Sequence, residues 1–325
     1  MGISRRQFLQ ATASAAAFSA VDGAMPLFAE PALQTCPFRL SVINDEISQD
    51  FEHSCSVAAH DFGLSWIELR GMWNKNITDL SAKEVDESRK ILEKYRLRVT
   101  DIASPLFKVD WPGAPLSSKG ERRDQFHADA DFKAQDGVLE RSIELAKAFG
   151  TRRIRCFDFW RLDDQKPYRA AMNQKLREAA ARCEKDGMIL LLENEMSCNT
   201  ATGAEAAETL AAVTNSNFML NWDPGNAAAA GETPYPNGYK LLPKDRIGHC
   251  HCKDVVRKPG GGYEWAPVGG GIIDWRGQFR ALAKQGYKEA VSLETHWRGA
   301  GTPEASTRIS IKGLKQDLES DGLGC

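Results

Sequence analysis

Short apolar runs alternate with longer amphipathic stretches through most of the chain. Runs of four to six mostly apolar residues are typical of buried strands, and they occur at 38–43, 66–69, 99–103, 153–157, 188–192, 218–221, 247–251 and 290–293. An amphipathic stretch that favours a helix follows each run, at 50–62, 82–95, 136–149, 168–186, 204–213, 239–242, 275–285 and 304–318. Eight strand–helix units in succession predict an α/β fold with a parallel sheet.

Turn and cap residues support these boundaries. A glycine lies between a predicted helix and the next strand at four places, where the chain needs a left-handed residue: Gly63, Gly150, Gly187 and Gly286. Ser81 with Glu84, and Thr202 with Glu205, have the spacing of helix capping boxes. The helix-to-strand connections are short and several strand-to-helix loops are long. We therefore predict one domain over residues 31–325, a single (β/α)8 TIM barrel, rather than an open sheet.

The first 30 residues have a different pattern. Arg5 and Arg6 lie in the motif SRRQFL, and an alanine-rich stretch follows at 11–20. This arrangement matches a twin-arginine signal peptide; the alternative is an exposed basic N-terminus with a short helix. The apolar run is too short for a stable membrane anchor. We expect export by the twin-arginine machinery, to the periplasm or beyond.

Charge and cysteine content narrow the functional classes. The chain has 325 residues and a net charge of −2, with no basic stretch of the kind that binds phosphate backbones, so nucleic acid is not an expected partner. Its eight cysteines show no CxxC spacing, and we expect buried free thiols rather than a zinc finger. Cys250 and Cys252 alternate with His249 and His251. The cysteines should therefore face the helices and the histidines the barrel axis.

Four strand ends in the second half each carry a side chain that can bind a metal ion: Glu193, Asp223, His251 and Glu294. Each alone could be an ordinary helix cap, turn acceptor or core residue. In a (β/α)8 barrel, however, the carboxyl ends of the strands meet at one end, the mouth. Three carboxylates and one imidazole there would surround one divalent ion. Mn²⁺ or Mg²⁺ suits this set best, and Zn²⁺ or Co²⁺ stays open.

Two long loops should border that mouth. Residues 104–135, after the third strand, include Lys108 and Trp111, and residues 255–273, after the seventh, are rich in glycine. Both are candidate lids, with ordinary surface loops as the alternative. Trp111 is a candidate for stacking on a sugar ring, or else it packs against a neighbouring loop.

Several segments together resemble the xylose isomerase-like superfamily, and within it the sugar phosphate isomerase/epimerase group. They are VINDEIS, WIELRGMWNKN, IASPLFK, LLLENE, WDPGN, HCHCKD, PVGGGIIDW and SLETHW. The resemblance covers roughly residues 38–318. The group includes ketose 3-epimerases, inosose dehydratase and, more distantly, endonuclease IV. The three-metal cluster of endonuclease IV needs more histidines than the six present here, since His53, His60 and His127 lie in predicted helices or a loop. DNA repair is therefore excluded.

The resemblance implies roles for individual residues. Glu193, Asp223, His251 and Glu294 match the metal ligands, and Glu193 and Glu294 match the pair that shuttles a proton beside a carbonyl. Arg257 lies where the epimerases bind substrate. Further candidates for contact with substrate are Glu68, Lys108, Trp111, Glu195, Asn226 and Lys253. Asn226 departs from the pattern, because the epimerases commonly have a proton-exchanging histidine at this position.

The sequence therefore predicts a divalent-metal-dependent isomerase or epimerase of a sugar or keto-sugar. It would remove a proton next to a carbonyl through a metal-stabilised enediolate. One alternative is a metal-dependent lyase or dehydratase acting on a keto-glycoside or an inosose. Another is a non-catalytic carbohydrate-binding protein. A homo-oligomer is compatible with the sequence.

Overall fold

The computed structural model describes residues 36–115, 117 and 131–324. The predicted signal peptide at 1–30 and His127 in the first long loop lie outside these residues. No helix in the described part of the chain is both long enough and apolar enough to cross a membrane.

Eight parallel strands form the central sheet: β1 (Arg39–Val42), β2 (Trp66–Leu69), β3 (Arg98–Ile102), β4 (Arg153–Cys156), β5 (Ile189–Glu193), β6 (Phe218–Trp222), β7 (Ile247–Cys252) and β8 (Ala290–Leu293). Their order is β1-β8-β7-β6-β5-β4-β3-β2. A parallel bridge between Ile43 and Glu68 joins β1 to β2 and closes the cylinder. The prediction of a (β/α)8 TIM barrel is confirmed.

The helices surround the barrel in the predicted order. The main ones are Phe51–Ser56, Ala82–Lys94, Gln135–Ala148, Arg169–Lys185, Gly203–Ala212, Trp275–Lys284 and Pro303–Ser320. Both predicted capping boxes are present, at Ser81 with Glu84 and at Thr202 with Glu205. The predicted left-handed glycines are confirmed, with φ angles of 64°, 69°, 69° and 80° at Gly63, Gly150, Gly187 and Gly286.

Two features of the mouth differ from the sequence prediction. A short helix, Pro224–Ala229, follows β6 directly. The glycine-rich loop after β7 contains an antiparallel hairpin, Asp254–Arg257 paired with Tyr263–Ala266. The carboxylate of Asp254 holds this hairpin (the 254–266 hairpin) by accepting hydrogen bonds from the backbone N–H groups of Val255, Gly269, Gly271 and Ile273. The second long loop is therefore an ordered hairpin and not an irregular loop.

The cysteines follow the prediction with one exception. Cys250 and Cys252 are fully buried within the apolar core, whereas His249 and His251 join a charged cluster inside the barrel. Six described cysteines are free and buried: Cys55, Cys156, Cys183, Cys198, Cys250 and Cys252. Cys36 is disulfide-bonded, so the expectation of free thiols was wrong for this residue.

Candidate metal centre

The four predicted metal ligands come together at the mouth. Glu193 is the last residue of β5, His251 lies in β7, and Asp223 and Glu294 directly follow β6 and β8. Each offers one ligand atom, and these atoms all lie within 4.8 Å of one another. Convergence follows from the barrel, because parallel strands end at the same rim.

The imidazole of His251 is at the centre of this group. Its Nδ1 atom lies 3.3 Å from Glu193 Oε1, 3.2 Å from Glu294 Oε2 and 3.7 Å from Asp223 Oδ2. All four side chains are buried. Three carboxylates this close repel one another unless a cation lies among them.

The donor atoms fit a divalent cation. Within residues 36–115 and 131–324, Asp223 Oδ2 and Glu294 Oε2 are buried without a hydrogen bond of good geometry. Lys253 Nζ is nevertheless 2.9 Å from Asp223 Oδ2 and also contacts Glu294 Oε2 as an ion pair. An ammonium group at this distance compensates the charge of a carboxylate even where the hydrogen-bond angle is poor. The two oxygens thus lie in a position where they attract positive charge.

Two buried arginines hold the glutamates from the outside. Arg70, just after β2, donates from Nη1 to Glu294 Oε1 at 2.5 Å. Arg155, in β4, donates from Nη1 to Glu193 Oε2 at 3.1 Å. Each glutamate therefore has one oxygen on an arginine and the other towards His251. Charge-assisted bonds of this kind fix orientation as well as charge.

These contacts keep both glutamates ionised. Burial alone would raise the pKa of Glu193, but His251 and Arg155 outweigh it and lower that pKa to about 2. Burial also opposes ionisation of Glu294, yet Lys253, His296 and His251 hold the pKa of that carboxyl well below its usual range. Both side chains are thus available as anionic ligands.

A second layer of polar residues lies beneath His251. Glu68 bonds His251 Nε2 at 3.0 Å through Oε1 and His249 Nε2 at 3.1 Å through Oε2, and His249 Nδ1 is 3.7 Å from Asp101 Oδ1. Glu68 is fully buried. The sequence predicted that Glu68 contacts substrate; the structure places it beneath His251, the predicted metal ligand. There it orients His251 so that Nδ1 faces the other three ligands.

We expect Glu68→Gln to weaken the binding of a divalent ion by about 10- to 100-fold, the usual cost of losing such an outer partner. A glutamine offers one acceptor oxygen, so one imidazole N–H loses its bond. Titration calorimetry with Mn²⁺ measures the effect, and Glu264→Gln, an exposed glutamate on the 254–266 hairpin, is the control. Equal affinities in the two variants would show that Glu68 does not position His251.

The other predicted substrate residues fall into two groups. Asn226 and Lys253 belong to the cluster itself, because Asn226 Nδ2 donates to Glu193 Oε1 at 3.2 Å and Lys253 is fully buried beside Asp223. Glu195 and Lys108 form a separate ion pair at 3.5 Å, with the Lys108 ammonium 4.6 Å from the centre of the Phe157 ring.

Arg257 and Trp111 lie apart from these groups. Arg257 is exposed on the 254–266 hairpin. Trp111 packs edge-on against Phe132 and Phe159, with ring centroids 5.3 Å and 4.7 Å away. These contacts are those of a residue that stabilises its own loop, which was the alternative to stacking on a sugar. The contact of Trp111 with substrate stays a prediction.

Sequence reasoning missed several residues of the site. Arg70 and Arg155 were not singled out, nor were Glu46 and His296, and His249 was predicted to face the barrel axis but was given no role in the site. A weak signal was available for Arg155 and His249, because a charged or polar residue inside an otherwise apolar barrel strand must face a polar partner. Arg70 and His296 lie in loops and Glu46 in a short 3-10 helix after β1, where polar residues are ordinary.

Comparison with known proteins agrees with the fold. A family model described as the xylose isomerase-like TIM barrel matches residues 57–317. No curated protein shows significant sequence similarity to the chain.

Solved structures show the same architecture at low identity. The probable 3-DHS dehydratase AsbF from Bacillus anthracis is 19% identical, with a TM-score of 0.62 over 87% of this chain and 99% of that one. A xylose isomerase-like TIM barrel protein from Mycobacterium smegmatis in complex with magnesium is 18% identical, with a TM-score of 0.63 over 91% and 100%. D-psicose 3-epimerase from Clostridium cellulolyticum H10, solved with D-tagatose, is 17% identical, with a TM-score of 0.63 over 89% and 100%. At these identities the likeness concerns the fold, and together with the family match it establishes that the chain belongs to the xylose isomerase-like TIM-barrel family.

Proposed function

We propose that this protein is a divalent-metal-dependent isomerase or epimerase that acts on a sugar or keto-sugar. One observation carries the proposal: Glu193 and Glu294 reach the same point at the mouth from two different strands. Their inner oxygens lie 3.3 Å and 3.2 Å from His251 Nδ1. Two carboxylates so placed can remove a proton from a substrate carbon and return it from another direction.

The residues around this pair each have a part in the proposed reaction. Glu193, Asp223, His251 and Glu294 would hold the ion, which when bound polarises a carbonyl and stabilises an enediolate. Arg70 holds the outer oxygen of Glu294 and Arg155 that of Glu193, so each carboxylate keeps a fixed orientation towards the centre of the site. Magnesium, bound by the relative from Mycobacterium smegmatis, and manganese suit three carboxylates and one imidazole.

The same site could instead support elimination. Proton removal next to a carbonyl, followed by loss of a β-substituent, is the chemistry of a lyase or dehydratase, and one structural relative is named a probable dehydratase. Asn226 favours this alternative, since it bonds Glu193 Oε1 but cannot exchange a proton as the histidine of the epimerases does. A keto-glycoside or an inosose would be the substrate class.

Solvent deuterium separates the three functions. The metal-loaded protein is incubated in D₂O with free and keto-oxidised sugars, and the products are analysed by mass spectrometry. Deuterium in a sugar of otherwise unchanged mass indicates isomerisation or epimerisation, as we expect. Loss of water or an aglycone would establish a lyase. Binding with neither change would establish a carbohydrate-binding protein.

We also propose that the protein is exported through the twin-arginine route to the periplasm. The motif SRRQFL and the alanine-rich stretch behind it support the route. The disulfide at Cys36 supports an oxidising compartment, because disulfides are rare in the cytosol. Export also favours an unphosphorylated carbohydrate as the substrate.

A further inference from the structure

One wall of the mouth contains a histidine whose ring is held through one nitrogen, while the other nitrogen faces the site. His296 Nδ1 lies 3.0 Å from Oε1 of Glu46, a fully buried carboxylate that also pairs with Arg298 at 3.0 Å. Because Glu46 accepts a hydrogen bond from the Nδ1–H group, the other ring nitrogen, Nε2, is the one that faces the site. Nε2 is 3.8 Å from Glu294 Oε1, which is beyond hydrogen-bond distance.

The backbone at His296 is strained. Its φ angle is +50°, a left-handed conformation that costs energy for a residue with a side chain. Such strain persists where surrounding contacts impose it, and it is concentrated at binding and catalytic sites. Here the bonds of His296 and Arg298 to Glu46 impose it. The side chain of His296 is still 22% exposed, so a ligand can reach it.

A tryptophan lies directly beside this histidine. Trp265 meets the His296 ring edge-on, with the centroids 5.4 Å apart, and the Lys253 ammonium is 5.4 Å from the centre of the Trp265 ring. Lys253 in turn contacts Asp223 and Glu294. Trp265 and His296 therefore border the four candidate metal ligands from one side. Trp265 is next to Lys253, and His296 is next to Glu294.

The 254–266 hairpin keeps Trp265 in place. Asp254 fixes the base of the hairpin through backbone N–H groups, and Tyr263 packs against Trp265 at 5.1 Å between ring centroids. Trp265 is nevertheless only partly buried. A large aromatic surface that is held rigidly and left partly open suits a ligand with an apolar face.

We propose that Trp265 and His296 form a subsite for the carbon skeleton of a polyhydroxylated substrate. The indole face packs against the C–H groups of the sugar, and His296 Nε2 hydrogen-bonds a hydroxyl. The subsite deepens the proposed function and rests on it for the class of ligand. It also gives the second long loop, predicted as a lid, a specific role: the hairpin supplies the apolar wall of the site.

Binding of three simple carbohydrates to the Mg²⁺-loaded full chain tests the subsite. The probes are xylitol, D-fructose and methyl glucoside, and saturation-transfer NMR with calorimetry measures their affinities. Trp265→Ala is expected to weaken binding of the probe that the wild type binds best by about three- to tenfold, with Trp265→Phe intermediate. His296→Gln should weaken it to a similar degree, about threefold to tenfold.

Trp66→Ala is the matched control, because Trp66 is also partly buried but lies at the start of β2, at the opposite end of the barrel. Its probe affinity should equal that of the wild type, and Mg²⁺ affinity should be retained in Trp265→Ala. The subsite is overturned if Trp265→Ala and His296→Gln both bind the probes as the wild type does, or if the wild type binds none of them. Probe binding that depends on Trp265, without deuterium exchange in any sugar, would overturn the proposed reaction and leave the subsite standing.

Discussion

Asp223→Ala is expected to lose the divalent ion while the barrel stays folded. Asp223 Oδ2 faces His251 and Lys253, whereas Oδ1 accepts the Asn226 N–H at 2.8 Å and caps the helix Pro224–Ala229. Loss of a direct ligand should cost more affinity than the roughly 10- to 100-fold of an outer partner. The lost cap should cost about 0.5–2 kcal/mol of stability, and loss of the buried ion pair with Lys253, which keeps Glu294 as a partner, adds to that cost. Metal analysis of the purified variant and thermal unfolding measure the two effects.

A matched control separates these effects. Asp274 caps the helix Trp275–Lys284 by accepting the Gly277 N–H at 2.8 Å, so Asp274→Ala loses a comparable cap away from the metal site. It should lose stability but keep the ion. His251→Ala should also lose the ion, and it likewise removes a partner from a buried charged residue, Glu68; breaking a buried pair costs about 3–5 kcal/mol. Full metal occupancy in Asp223→Ala would rule out the four-ligand site.

The barrel and the meeting of the four candidate ligands at its mouth could be predicted because both depend on local signals. Each strand is an apolar run that begins after a turn, as at Gly187 before β5, and the helices carry their own caps, as at Ser81 and Thr202. Once eight such units are recognised, the geometry of a parallel barrel brings Glu193 and Glu294 to one rim.

The surroundings of the ligands could not be predicted in the same way. Arg70 and Glu294 are 224 positions apart and Glu46 and His296 are 250 apart, and in sequence each resembles an ordinary polar loop residue. The sequence left the role of Trp111 open for a related reason. An aromatic residue in a long loop can face substrate or pack against neighbouring side chains. The contact of Trp111 with Phe159, which lies in the loop after β4, is visible only in the folded structure.

Glu294→Gln is expected to reduce proton exchange much more than it reduces the affinity for the divalent ion. A glutamine has almost the same shape and can still offer an oxygen to a cation, but it cannot take a proton. Its NH₂ group must face either Arg70 or Lys253, and both are donors, so metal affinity should fall as well. Deuterium exchange into substrate should fall by about 10²- to 10⁴-fold, the usual contribution of a general base.

The two quantities must be measured on the same sample, since a variant that simply lost its metal would also lose exchange. Calorimetry with Mn²⁺ sets the concentration at which the variant is saturated, and exchange is then compared at full occupancy. Glu264→Gln, exposed on the 254–266 hairpin, should match the wild type in both measurements. Near-normal exchange in saturated Glu294→Gln would place the base elsewhere. Lys253, which contacts Asp223 and Glu294, and Glu195, which pairs with Lys108, are then the next residues to replace.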